Sequence, residues 1–323
     1  MQAALALNEM GLKPVIIEKS EQLGGHVANW HQLFPTFTTA GEVLGPLRDR
    51  VDKAGIEVMT RAEAEAVGPD GVTLADGRKV AAGATVICSG FDLFDAKVKE
   101  EYGYKIYDNV FTTVDIERML NEGKVAMADG ETPKRIAFLH CVGSRDEKVG
   151  AHHCSKVCCI TGVKQAMELK EMFPGAEIYN FYMDTRMFGP GYEELYREAQ
   201  MKHNIQFIRG RISEASQTID HRIQIKAEDT LVGRPLKMTV DMLVLIVGMK
   251  GGESNGSFAS GGGLEVGYNG FMTARDAFAG NTLSGVENIF YAGAVTAPKN
   301  IGESMNEGSA VAMKVADYFR SRG

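Results

Sequence analysis

Four of the five cysteines lie in one short segment, as Cys141, Cys154, Cys158 and Cys159. Their spacing is C-x12-C-x3-C-C. Soft thiolate ligands suit both iron–sulfur clusters and zinc. Structural zinc sites usually pair cysteines as C-x2–4-C, which an adjacent pair does not match. A redox dithiol and buried thiols without a ligand are further interpretations. The spacing alone favours an iron–sulfur cluster and leaves the others open.

The elements around the cysteines follow strand–helix order. "RIAFLHCVG" predicts a strand that runs through Cys141, and "CCITGVKQAMELKEMF" predicts a helix that begins at the adjacent pair. "AEIYNFYMD", "GYEELYREAQMKHN" and "IQFIRG" continue the alternation, which indicates a parallel sheet. The cysteines then lie at its C-terminal edge, where α/β proteins bind ligands. Gly143 is alone in a turn that would carry several glycines in a nicotinamide-binding unit.

The N-terminal segment resembles part of a dinucleotide-binding unit. A small-residue helix over residues 1–10 precedes the strand "PVIIE", which ends at Glu18. An acid at this place bonds ribose hydroxyls about 20 residues after a glycine turn. That turn would fall before Met1, so we expect either a late start or a fragment.

The remaining segments complete the predicted organisation. "ATVICSG" predicts a buried strand that follows Asp-Gly turns, and we expect Cys88 in it to be a core thiol. "LKMTVDMLVLIVGM" predicts a strand, and "GGESNGSFASGGG" predicts a loop or hinge. A last strand leads into a helix from Ile301, whose N-terminus is suited to a phosphate or a flavin. The order is one nucleotide unit, a second such unit, and a return to the first.

Composition and charge exclude several classes. The net charge of -7 argues against a nucleic-acid partner, because phosphate binding requires a basic face. No apolar run approaches the roughly 20 residues of a membrane span. No signal peptide is evident, and an odd, clustered set of cysteines is not typical of a secreted disulfide framework. We therefore expect a cytoplasmic protein.

Several motifs resemble one known family. "HCVGSRDE", "CSKVCC", "RMFGPGYEELYREA" and "IQFIRGR" resemble the A-type subunits of heterodisulfide reductase, a family that includes related subunits of the quinone-interacting membrane-bound oxidoreductase complex. "EKSEQLGGHVANWHQLFPT" and "AGAVTAPKNI" resemble its flavin segments. The resemblance is to a short form without ferredoxin modules, since no C-x2-C-x2-C-x3-C motif occurs. The absence of those modules puts electron bifurcation in doubt.

The resemblance implies a fold, cofactors and sites. The fold is α/β, a thioredoxin-reductase-like flavoprotein with two dinucleotide-binding domains and Rossmann-type parallel sheets. Residues 1–112 and 264–323 would form a discontinuous FAD-binding domain, and residues 113–263 an NAD(P)-domain-like unit. That second unit would carry one [4Fe–4S] cluster on Cys141, Cys154, Cys158 and Cys159. The expected FAD-site residues are Glu18, Lys19, Gly24, Gly25, His26, Ser89, Gly90, Gly293, Ala294, Lys299 and Ile301. For His26 and Lys299, plain structural roles remain open.

The implied function is that of an electron-transfer flavoprotein subunit, an oxidoreductase that passes electrons between FAD and the cluster. Its partners would be other subunits of a heterodisulfide-reductase-like complex that carry iron–sulfur or ferredoxin-type centres. One alternative is an NAD(P)H-dependent disulfide or dithiol reductase that uses Cys158 and Cys159. Another is a truncated, non-catalytic subunit. No catalytic base is identified, and a homodimer is left open.

Overall fold

The structure is a computed structural model that describes residues 1–322, with Gly262 described only by its place in a helix. The α-helices are α1 (Gln2–Glu9), α2 (Ala40–Lys53), α3 (Thr113–Asn121), α4 (Cys158–Met172), α5 (Tyr192–Met201), α6 (Ser254–Gly262) and α7 (Ile301–Arg320). The strands are β1 (Val15–Ile17), β2 (Gln32–Leu33), β3 (Thr38–Thr39), β4 (Glu57–Met59), β5 (Ala64–Gly68), β6 (Gly71–Leu74), β7 (Lys79–Ala81), β8 (Thr85–Ile87), β9 (Phe91–Leu93), β10 (Val110–Thr112), β11 (Arg135–Val142), β12 (Glu177–Tyr182), β13 (Gln206–Arg209), β14 (Ile212–Gln217), β15 (Ile223–Asp229), β16 (Arg234–Val240), β17 (Met242–Val247), β18 (Met249–Gly251) and β19 (Ile289–Tyr291).

The chain divides into two compact units. The first unit comprises Met1–Ala28, Gly41–Asp92 and Lys250–Gly323, and the second comprises Asn29–Ala40 and Leu93–Met249. The junctions predicted from the sequence lie at 112/113 and 263/264, and these domain limits stay a prediction.

The first unit contains two short parallel ladders, β1 with β4 and β8 with β19. An antiparallel sheet of β5, β6 and β7 accompanies them. Helix α1 lies close against α7, where Gln2 Nε2 donates to Ser309 Oγ at 3.0 Å. The backbones approach at Gly308, where a Cβ would lie 3.2 Å from the Gln2 Cβ. Small residues in α7 thus permit the close helix packing.

The second unit is built on a five-stranded parallel sheet in the order β10-β17-β11-β12-β13. Successive residues of β11 point to opposite faces. Ile136 and Phe138 pack in the core cluster that contains α4, and Ala137 and Leu139 pack in the cluster that contains the antiparallel strands β14, β15 and β16. Burial on both faces explains the continuous apolar run in this strand. The predicted parallel sheet is confirmed.

Three predictions about local structure are wrong. Residues 254–262 form helix α6 rather than a loop, because Phe258 packs into the core and Asn255 Nδ2 donates to Gly270 O at 2.9 Å. The strand predicted over residues 236–249 is broken at Asp241, whose Oδ2 accepts hydrogen bonds from the backbone of Lys134 and Arg135 at 2.6 and 2.8 Å. Cys88 is exposed beyond the end of β8 instead of lying in the core.

The described residues contain no helix that is long and apolar enough to cross a membrane.

Candidate functional site

Cys141 lies at an irregular end of the central strand β11. The register of β11 against β17 shifts between Leu139 and Val142, and Cys141 has a left-handed φ of 61°. A non-glycine residue with positive φ is uncommon, and such residues concentrate at functional sites. The irregularity turns the chain at the carboxyl end of the sheet, where the segment that carries Cys154 begins.

Two buried serines close this segment into a loop. Ser155 N donates to Ser144 Oγ at 3.0 Å, and the two hydroxyl oxygens are 3.1 Å apart. Ser155 Oγ also accepts from Met249 N at 2.8 Å, next to the end of β17. Both serines are fully buried, so these hydrogen bonds fix the loop against the sheet. The sequence analysis did not identify either serine; their one local signal is that each lies within three residues of a cysteine.

Three of the four clustered thiols interact with one another. Cys158 and Cys159 are the first residues of α4, and both are buried, as is Cys141. Hydrogen bonds to Cys141 and Cys159, together with burial, raise the pKa of Cys158 well above its usual value. The hydrogen bond from Cys158 lowers the pKa of Cys141 to about 7 and that of Cys159 to about 4. One thiol proton is therefore held between two sulfur atoms that favour the thiolate form.

Cys154 is less buried than the other three and lies on the loop. Its Sγ accepts a hydrogen bond from Lys156 N at 3.4 Å. The charge of Arg145 acts on both Cys154 and Cys141. Within residues 1–322, no three His, Cys, Asp or Glu side chains already have the arrangement of a metal site. The structure thus brings three of the four predicted ligands together and leaves Cys154 outside that group.

His140 precedes the first cysteine and is buried beside the sulfur atoms. Its Nε2 is 2.8 Å from Asn180 Oδ1. Burial lowers the pKa of His140, but Cys159, Asn180 and Cys141 outweigh it and raise the pKa above its usual value. Its Nδ1 has no hydrogen-bond partner among the described residues. The His140 ring also interacts with Cys159, and this interaction lowers the pKa of that thiol.

The donor set fits an iron–sulfur cluster. It consists of soft sulfur atoms at a strand end and a helix N-terminus, and the helix dipole favours negative charge there. The thiol proton shared by Cys158 would leave on ligation, because metals bind the thiolate. A disulfide between Cys158 and Cys159 fits poorly. Consecutive Cα atoms of a trans peptide lie about 3.8 Å apart, whereas disulfides usually join Cα atoms about 4.4–6.8 Å apart.

Gly248 lets β17 approach the cysteine loop. A Cβ at Gly248 would lie 2.5 Å from Gly143 O and 2.8 Å from Ser155 Oγ. We expect Gly248→Ala to displace the loop, to lower the free energy of unfolding by about 1–3 kcal/mol, and to reduce bound metal. Urea unfolding and metal analysis measure both effects. The matched control is Gly175→Ala, because nothing lies within 4 Å of a Cβ at Gly175; equal behaviour of the two variants would contradict the prediction.

In the first unit, the predicted cofactor residues follow the carboxyl ends of three strands. Glu18 and Lys19 follow β1, Ser89 and Gly90 follow β8, and Gly293 and Ala294 follow β19. Because β8 and β19 are paired in parallel, the residues that follow these two strands lie side by side. Ala292 N donates to Ile87 O at 3.2 Å. Glu18 is half-buried, and its Oε1 accepts from Ser20 N at 2.8 Å.

A glycine-containing turn lies beside the β8 end. His26, in the 3₁₀ helix Gly25–Asn29, stacks on Phe91 at 4.7 Å, and its Nε2 is 2.9 Å from Phe91 O. Gly24, Gly25 and Gly90 all have positive φ. At Gly24 a Cβ would lie 2.9 Å from Leu44 Cδ1, whereas around Gly25 and Gly90 the described residues leave open space. Exposed backbone beside strand ends is a fitting surface for a nucleotide.

Lys299 secures the turn after β19. Its Nζ donates to Gly293 O at 2.9 Å and Thr296 Oγ1 at 2.6 Å, and pairs with Glu307 Oε2 at 3.1 Å. The same Glu307 oxygen accepts from Gly293 N at 2.9 Å. These contacts favour a structural role for Lys299. Helix α7 begins at Ile301. The preceding residue, Asn300, caps the helix, because its side chain and that of Glu303 form a capping box.

We expect Lys299→Met to leave the mostly buried Glu307 carboxylate without its cation. The free energy of unfolding should fall by about 1–3 kcal/mol, as measured by urea denaturation. Lys314 is exposed on the same helix and is the control, because Lys314→Met should change stability by less than about 0.5 kcal/mol. If the Lys299 variant were as stable as this control, the contacts around Gly293 would not hold the turn.

Comparisons with known proteins show what the chain is related to. It is 40% identical over 242 residues to the iron–sulfur A-type subunit of the CoB–CoM heterodisulfide reductase of Methanocaldococcus jannaschii, covering 72% of this chain and 36% of that protein. The chain is homologous to the A-type subunits of heterodisulfide reductase. The corresponding subunit of the H2/formate-dependent CoB–CoM heterodisulfide,ferredoxin reductase of Methanococcus maripaludis is 39% identical over 241 residues, 72% of this chain and 37% of that protein. The predicted resemblance to this family is therefore confirmed.

The chain spans little more than a third of the length of these relatives. No protein-family model matches it. Among solved structures, thioredoxin reductase of T. acidophilum aligns with a TM-score of 0.70 at 16% identity, over 100% of this chain and 95% of that one. Thioredoxin reductase of Lactococcus lactis aligns with a TM-score of 0.70 at 15% identity, over 99% and 95%. The predicted fold class is confirmed.

Proposed function

We propose that this chain is an electron-transfer subunit of an oxidoreductase, with an iron–sulfur cluster on its clustered cysteines. The observation that carries the proposal is that Cys158 forms side-chain hydrogen bonds with both Cys141 and Cys159 at the carboxyl end of β11. The relative in Methanocaldococcus jannaschii is named as an iron–sulfur subunit, which supports iron over zinc.

Cys154 would be the fourth ligand. It lies on the loop that the Ser144–Ser155 hydrogen bond closes, with twelve residues between it and the strand cysteine and three between it and the helix pair. Ligation would require Cys154 and the other three cysteines to rearrange, because no three of the described side chains already have the geometry of a metal site. The buried surroundings of the other three thiols would exclude water from most of the site.

FAD would lie along the strand ends of the first unit. Glu18 would bond the ribose hydroxyls, and the glycines with left-handed backbone, Gly25, Gly90 and Gly293, would let the nucleotide approach the main chain. His26 and Lys299 are held by Phe91 and Glu307, so they would shape the surface rather than react. When bound, FAD accepts or delivers two electrons and the cluster passes them singly.

The partners would be other subunits of a heterodisulfide-reductase-like complex in the cytoplasm, with iron–sulfur or ferredoxin-type carriers. The relatives support this, since each is named as one subunit of a heterodisulfide reductase.

Anaerobic purification of the full chain, followed by a visible spectrum and by iron, sulfide and flavin analysis, tests the proposal. We expect bound flavin and about four iron atoms per chain. Zinc without iron would contradict the cluster. Flavin without metal, together with NADPH-driven disulfide reduction, would support the dithiol alternative instead. A chain that binds neither cofactor would support the non-catalytic alternative.

A further inference from the structure

Arg145 is held between the segments that carry the cysteines. Its backbone N donates to His153 O at 3.0 Å, directly before Cys154. Its Nη2 donates to Asp184 Oδ2 at 2.7 Å, and the Asp184 carbonyl oxygen lies 3.8 Å from Cys159 Sγ. The left-handed φ of 53° at Arg145 directs the chain into this position. The guanidinium group is therefore fixed from the loop side and from the helix side.

One end of the guanidinium group lacks a partner. Arg145 Nη1 is buried and makes no hydrogen bond among the described residues, whereas Nη2 is paired. A buried donor of a charged group without an acceptor is costly. Arg145 acts electrostatically on Cys141 and Cys154, the two cysteines at either end of its loop. The sulfur atoms of both cysteines thus lie within electrostatic range of the guanidinium group.

Positive groups near the sulfur atoms share a single carboxylate, that of Asp184. Asp184 pairs with Arg145 at 2.7 Å and with Arg209 at 3.5 Å, so two guanidinium groups share one carboxylate. The side chain of Arg145 is 22% exposed, and that of Arg209 is 47% exposed. Water screens Arg209 more strongly, so of these two guanidinium groups Arg145 has the stronger electrostatic effect.

We propose that Arg145 is a positioning residue that donates a hydrogen bond from Nη1 to the sulfur atoms of the metal-bound cysteine site and favours its reduced form. This inference rests on the proposed iron–sulfur function. Adding an electron makes the site more negative, and a fixed positive charge nearby stabilises that state. An arginine suits the role, because its guanidinium group stays charged at all physiological pH values.

Redox titration of the anaerobic holoprotein, followed by electron paramagnetic resonance, tests this role of Arg145. Arg145→Gln keeps a hydrogen-bond donor but removes the charge. We expect it to retain iron and to shift the ratio of oxidised to reduced site about tenfold toward the oxidised form, which is about 59 mV for one electron. Arg145→Lys should restore most of the potential. Arg209→Gln, which removes a charge from the same carboxylate, should cause a clearly smaller shift.

The outcomes separate this inference from the proposed function. An unchanged potential in Arg145→Gln at full iron content would overturn the role of Arg145, as would an equal shift in Arg209→Gln. If Arg145→Gln loses iron, the Arg145→Lys variant tests the role of Arg145 instead. A near-normal potential with full iron in Arg145→Lys supports that role. Loss of iron in both variants overturns it. A wild-type chain without iron would instead refute the proposed function.

Discussion

Cys159→Ala is expected to reduce bound iron from about four atoms per chain to almost none. Cys159 is the thiol with the lowest pKa of the interacting set, about 4, so it is the sulfur most ready to bind a metal. Cys159 is buried, and Asp184 O lies 3.8 Å from its Sγ. An external thiol therefore has poor access to the ligand position that the substitution vacates. Iron and sulfide analysis after anaerobic purification measures the loss.

Cys88→Ala is the matched control, because Cys88 belongs to the first unit and lies outside the cysteine cluster. It should retain the full iron content. Circular dichroism of both variants should match the parent chain, since either substitution removes a single sulfur atom. Full iron in Cys159→Ala would show that the adjacent pair contributes only one ligand, through Cys158.

Lys164→Met is expected to lower the free energy of unfolding by about 3–5 kcal/mol. Lys164 is 1% exposed, and its Nζ lies 2.5 Å from Glu117 Oε1 and 2.9 Å from Glu168 Oε2. Removing the cation leaves two buried carboxylates facing each other. His31 also contacts this group, with Nδ1 2.9 Å from Glu168 Oε1, so the segment Asn29–Ala40 should become more sensitive to proteases. Urea denaturation and limited proteolysis measure these effects.

The loss of stability in Lys164→Met should depend on pH. Burial already raises the pKa of Glu168, despite the opposing effect of Lys164. The folded state therefore binds more protons than the unfolded state as pH rises above the unfolded pKa of about 4.3, and stability falls with rising pH. Removing Lys164 strengthens this effect, so the loss should be greater at pH 8 than at pH 5.5.

Lys202→Met is the control for Lys164, because Lys202 pairs with Glu198 at 2.7 Å on an exposed helix face. Exposed pairs of this kind contribute about 0.3–0.5 kcal/mol. The double variant Lys164→Met/Glu168→Gln should recover part of the stability by removing one buried charge. A Lys164 variant as stable as the Lys202 variant would contradict the buried-charge argument.

Local patterns determine much of the fold. The apolar run in "RIAFLHCV" predicts a buried strand, and the structure has β11 over Arg135–Val142. The helix predicted from Cys158 begins at that residue. Local patterns fail where a distant residue decides. Helix α6 has a glycine- and serine-rich sequence typical of a loop, and its helical state depends on the core around Phe258 and on Gly270.

The sequence by itself determined the relationship to heterodisulfide reductase, the fold class, and the presence of four clustered cysteines with an adjacent pair. The motifs shared with that family imply the relationship and the fold class, and the alternation of strands and helices indicates the parallel sheet. Only the tertiary structure decided which thiols meet, that Arg145 pairs with Asp184, and that Lys164 lies between Glu117 and Glu168. Glu117 and Lys164 are 47 positions apart, and His31 and Glu168 are 137 apart. Such contacts follow from strand order and helix packing, which no local pattern of residues specifies.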